Sequence, residues 1–147
     1  MPGNLKNLND DNLEKFNKII VTLKNSLKMT PNDHNLHISI GNEYLKLRRF
    51  ELAFKSYLAA YNLEPQNADI SVCIGFFHRE VGNYNDAESA LLNAIKLDKN
   101  CIKAHVDLSD VYFNLGQHKE GLEYLYKVDG VIQFDLNSGL SVFKGNI

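Results

Sequence analysis

Five histidines, two cysteines and a scatter of carboxylates are the side chains in this sequence able to do acid–base, nucleophilic or metal chemistry. Their spacing argues against each. Cys73 and Cys101 form no CxxC pair, and His34, His37, His78, His105 and His118 build no HExxH. No Ser-His-Asp order, glycine-rich phosphate loop or paired-carboxylate motif stands out. Asp107 and Asp110 lie about one helical turn apart, which a solvated helix face accounts for. With no flanking base, Cys73 reads as a small buried or half-buried residue rather than a nucleophile. The expectation is a protein that is not an enzyme, with no catalytic residue, no metal and no cofactor.

Binding chemistry is therefore the class to look for, and composition narrows it. The 147 residues are 44% hydrophobic and 23% charged, enough for a domain with a real core. The net charge of −2 and a pI near 6.2 give no basic field to draw in nucleic acid or anionic lipid. Only Arg48, Arg49 and Arg79 supply guanidinium groups, which further weakens a phosphate-reading role. No apolar run approaches the ~20 residues a bilayer requires. The polar, acidic stretch from Met1 to Asp11 is no secretory signal, and two unpatterned cysteines suit a reducing compartment. A cytoplasmic protein that avoids nucleic acid and membrane is expected.

The elements that must position a binding surface come from an internal repeat. Three segments, beginning near Asn35, Asp69 and Lys103, align without a gap at a step of 34 residues. Ile40, Ile74 and Leu108 share a column, followed by Gly41, Gly75 and Ser109. Tyr44, His78 and Tyr112 share the next; then come Ala53, Ala87 and Gly121, and Tyr57, Leu91 and Leu125. Apolar residues fall at i, i+3, i+4 and i+7, the spacing of one buried helix face. The pattern predicts helices near 35–47, 50–63, 68–81, 84–97, 102–115 and 118–128. Turns at Leu47-Arg48-Arg49, Gly82-Asn83 and Leu115-Gly116 separate the helices of each pair.

These columns resemble the tetratricopeptide-repeat family, whose period is 34 residues. The first repeat supplies His37, Ile40-Gly41, Tyr44, Ala53, Tyr57, Ala60 and Pro65. The second keeps Ile74-Gly75, Ala87, Leu91 and Ala94, but has Ser71 and Lys99 where the family has a large residue and a proline. The third keeps Leu108, Ser109, Tyr112 and Leu125, with Gly121 and Val128 in place of alanines. On this register His37, His78 and His105 occupy columns that large or aromatic residues fill, and read as packed substitutes. The resemblance implies an all-α, right-handed superhelix (an α-solenoid) of antiparallel helical hairpins. Residues 12–135 form the repeat domain, as a partial repeat over 12–33 and repeats over 34–67, 68–101 and 102–135. Residues 1–11 are expected to be a flexible terminus, and 136–147 a segment that starts a further element.

The resemblance also implies a function: a protein-interaction module or adaptor that holds a peptide or helix of a partner in its concave groove. Carried over by position, the groove takes Asn35, Ile38, Asn42 and Leu45 from the first repeat. The second gives Asp69, Val72, Phe76 and Arg79, and the third Lys103, Val106, Asp110, Phe113 and Asn114. Ile38, Val72 and Val106 share a column and would form an apolar ladder with a polar rim. The same carry-over adds Ser39, Lys46, Cys73, Glu80 and Asp107 to the lining, and the polar groups that flank the ladder are Asn42, Arg79, Lys103 and Asn114. The family's carboxylate clamp for acidic chaperone tails would map to Ile38, Asn42, Cys73, Lys103 and Asp107. Only two of those five match, and Asp107 sets a negative charge where a cation is needed, so that ligand is rejected. Two alternatives stand beside the adaptor: the non-catalytic repeat domain of a larger enzyme such as a transferase, and a chaperone of type III secretion translocators. Self-association through the apolar C-terminal end is a further expectation.

Overall fold

The computed structural model describes residues 2–137, with side chains from 10 to 128. Seven helices and no strand occur among them. They divide into two compact units, Met1–Pro65 and Gln66–Ile147.

In the first unit, α1 (Pro2–Met29) packs on α2 (His34–Lys46), which pairs with α3 (Phe50–Leu63). The sequence reading began α1 near Asn12 and left 1–11 flexible; the helix starts at Pro2 instead. Proline suits a first helical position, where no amide donor is needed, and Leu5, Leu8 and Asn12 continue the helical spacing. In the hairpin, Ile40, Gly41 and Tyr44 of α2 are buried against Ala53, Tyr57 and Ala60 of α3. Tyr57 donates its hydroxyl to Asn42 Oδ1 at 2.6 Å, so the buried phenol is satisfied.

In the second unit, α4 (Ala68–Glu80) pairs with α5 (Tyr84–Leu97), and α6 (Ile102–Asn114) with α7 (His118–Asn137). Helix α5 packs on α6, and α4 also touches α6 directly. One core cluster joins Val72 of α4, Ala87, Leu91 and Ala94 of α5, and Ala104, Leu108, Val111 and Tyr112 of α6. Five of the six predicted helices agree with α2–α6 to within one residue at each end. Only α7 runs longer, to Asn137 rather than Val128. The segment expected over 136–147 lies outside the described residues from 138 onward.

Local chemistry explains the boundaries. Asp33 and Asn67 accept the amides of Asn35 and Asp69 through their side chains, capping α2 and α4. At the hairpin turns the chain passes through a left-handed residue: Arg48 at φ 57°, Gly82 at 81° and Gly116 at 76°. Each turn closes with the same pair of amide bonds; after α4 they run Gly82 to Arg79 O and Asn83 to His78 O. Glycine takes that conformation freely, whereas Arg48 carries a steric cost of roughly 1 kcal/mol.

Candidate functional site

Helices α4 and α6 are the first members of two successive hairpins and lie side by side, so their outward columns form one two-helix face. Arg79 bridges it. Its Nη1 donates to Asp107 Oδ1 at 3.3 Å and lies 3.2 Å from Asp110 Oδ2, while Nη2 lies 3.5 Å from Glu80 Oε1. The guanidinium also sits 4.8 Å above the Phe76 ring, which holds its plane. The Arg79 and Asp107 side chains are only 19% and 11% exposed, so this pair is far less screened than a surface pair. Asp110, at 52%, faces water.

Asp107 was read as part of a solvated face; the structure buries it. Packing of α6 against α4 carries its position inward, and only Oδ1 is hydrogen-bonded while Oδ2 is buried without a partner. Burial pushes its carboxyl above the ordinary range, and Asp110 and Glu80 add to that push, against Arg79 and Lys103. Burial likewise raises the Cys73 thiol, with Lys103 opposing, so the neutral form is favoured and no activated nucleophile is present there.

The expected groove residues separate into three groups. Val72 is not on a surface: it is 2% exposed and belongs to the core cluster with Ala104 and Leu108. The small Ala104 lets α6 approach closely enough to cover it. The apolar ladder is accordingly broken, with Ile38 half-buried, Val72 buried and Val106 at 42% exposure. Phe113 turns toward α7, its ring 5.7 Å from His118, and is half-buried. Asn114 is tied to its own unit, donating to Asp110 O at 2.8 Å and accepting from the Tyr84 hydroxyl at 3.5 Å. The residues that remain on the α4–α6 face are Asp69, Phe76, Arg79, Lys103, Val106 and Asp110. In the first unit, Asn35 and Asn42 are exposed and Leu45 is half-buried along α2.

The other titratable groups serve packing. His105 is 4% exposed; its Nε2 lies 2.9 Å from Lys99 O and its ring 5.8 Å from Tyr124. His37 holds the same place in α2, with Nε2 3.2 Å from Pro31 O. Burial lowers the His78 pKa and pushes Tyr112 up to about 12. Among the described residues no group of three His, Cys, Asp or Glu is placed to hold a metal ion. No helix among them is long and apolar enough to cross a membrane.

Comparison with known proteins agrees with this architecture. A family model described as "Tetratricopeptide repeat" matches residues 34–67 and 102–132. The Superkiller protein 3 of Schizosaccharomyces pombe is 26% identical over 106 residues, covering 72% of this chain and 8% of its own length. Anaphase-promoting complex subunit 3 of the same yeast is 23% identical over 124 residues, 84% of this chain and 19% of that protein. The chain thus spans less than a fifth of either relative. Among solved structures, MamA from Desulfovibrio magneticus RS-1 superposes with a TM-score of 0.72 at 23% identity, over 88% of this chain and 71% of that one. That likeness shows the fold.

Proposed function

This chain is a tetratricopeptide-repeat protein, and on that premise we propose that it is a protein-interaction module whose α4–α6 face holds a segment of a partner polypeptide. The observation that carries the reading is the two-helix face itself. It leaves Val106 exposed at 42% beside an Arg79 network already fixed by Asp107 and the Phe76 ring. An exposed apolar anchor among rigidly held polar groups is what a recognition surface needs, because little side-chain entropy is left to lose on binding. The relative named as a subunit of the anaphase-promoting complex supports the same class of role, since a subunit works through contacts with other chains. Asn35, Ile38, Asn42 and Leu45 of α2 carry the equivalent columns in the first unit and are proposed as further contacts. A cytoplasmic location belongs to the same proposal.

The test is a photo-crosslinker placed at Val106 in the full chain, with a second at the exposed Leu92 on α5 as control. Expected is a discrete adduct from native lysate at Val106 that Val106→Asp competitor protein fails to reduce and wild-type competitor abolishes. Equal adducts from both sites would sink the reading.

A further inference from the structure

The charges on the α4–α6 face are not balanced. Asp69, Glu80, Asp107 and Asp110 stand against Arg79 and Lys103. The arginine is already engaged within the fold. Its Nη1 serves Asp107 and Asp110, its Nη2 faces Glu80, and its flat side rests on Phe76. An anionic segment would meet a guanidinium already ion-paired with three carboxylates.

The buried carboxylate sharpens the point. Asp107 is 8% exposed and has one oxygen with no hydrogen-bond partner, so its charge is only half answered from within the fold. Carboxylates at Asp110 and Glu80 lie on the water side of Arg79, at 52% and 45% side-chain exposure. They are the groups a partner meets first. A cation set against them adds attraction without displacing the existing bridge, and it relieves the like-charge crowding around Asp107.

We propose that the α4–α6 face takes a cationic polypeptide segment, with a lysine or arginine against Asp110 and Glu80 and a neighbouring apolar side chain on Val106. This rests on the binding-module reading and names the chemical class of its partner. The motivating geometry is the ion-paired Arg79 between two exposed carboxylates, with an uncovered valine one turn back along α6.

The experiment titrates the ¹⁵N-labelled full chain with a peptide of alternating lysine and leucine, and separately with its glutamate–leucine counterpart. Amide shifts locate the site, and fluorescence anisotropy at low and physiological salt gives the affinity. Expected are shifts confined to α4 and α6 with the lysine peptide only, weakening as salt is raised. The doubly reversed variant Glu80→Lys/Asp110→Lys should bind that peptide about tenfold more weakly. It keeps the Arg79–Asp107 bridge, and circular dichroism checks that it stays helical. Binding of the glutamate peptide at the same amides overturns the cationic assignment while leaving the module reading intact. Undiminished binding of the lysine peptide by the reversed variant also overturns the assignment. An absence of shifts on α4 or α6 with either peptide, together with no adduct at Val106, overturns both.

Discussion

In the α4/α5 hairpin the seam glycine sits on the first helix: a Cβ at Gly75 would lie 2.6 Å from Leu91 Cγ. In α6/α7 it sits on the second, where a Cβ at Gly121 would lie 3.0 Å from the Phe113 ring and 3.1 Å from Ser109 O. The columns are thus exchanged, Gly75 opposite Ala87 becoming Ser109 opposite Gly121. Ser109, 1% exposed, donates its hydroxyl to Gly121 O at 2.8 Å. Close approach of two helices needs one small residue per crossing, and either helix can supply it. What changes is the rest of the seam: across α4/α5 Asn93 Nδ2 donates to the buried Ser71 Oγ at 2.9 Å beside a fully buried Leu91, and across α6/α7 Ser109 bonds a backbone carbonyl beside a half-buried Leu125.

The difference can be broken first at its largest residue. Leu91→Ala is expected to cost about 3 kcal/mol in chemical denaturation, because truncating a fully buried side chain leaves a cavity. Leu125→Ala, already partly open, should cost about half of that. Next comes Gly75→Ala, which forces its methyl into Leu91 and should destabilise by about 1–2 kcal/mol. In the Leu91→Ala background that methyl has room, and the gain in helix propensity, roughly 1 kcal/mol, should turn the same substitution neutral or favourable. A double-mutant cycle with no coupling would disprove the seam contact. Ser109→Ala strands no charge but removes the hydrogen bond across the third seam, at about 1 kcal/mol. Arg48→Gly sharpens the comparison from the α2/α3 side. It brings that turn to the glycine found at Gly82 and Gly116, and a gain of up to about 1 kcal/mol in unfolding free energy is expected.

Most of this fold was written in the sequence, and the reasons are local. The step of 34 residues repeats apolar face, seam residue and turn together, so the turns at Leu47-Arg48-Arg49, Gly82-Asn83 and Leu115-Gly116 place α2–α6 to within a residue. The face was harder. Val72 and Val106 occupy one column of the repeat, yet one is buried and the other is 42% exposed. The cause is a neighbour: α4 has α6 beside it, and Val72 is buried in one core cluster with Ala104, Leu108 and Val111 of that helix. Periodicity along a single helix cannot report which helix lies next to it. Asp107 misled for the same reason, its partner Arg79 being 28 residues away. Overlaying two repeats sets Asp107 on Cys73 and Arg79 on Phe113, so the register alone does not pair them. At α1 the sequence signal was present in Leu5 and Leu8 and outweighed by the polar residues around them.

The Arg79 bridge has a consequence for how the second unit opens. In a tandem array each repeat contacts only its neighbours, so fluctuations fade from one pair to the following pair. Arg79 ties α4 to α6 across the boundary between two successive pairs, adding a polar link to the packing of Val72 there. Amide protons of the two helices should therefore exchange with solvent as one cooperative unit, at a common free energy, while α7 frays independently. Cutting that link with Arg79→Met, which leaves the Val72 packing in place, should lower the exchange free energy that the two helices share.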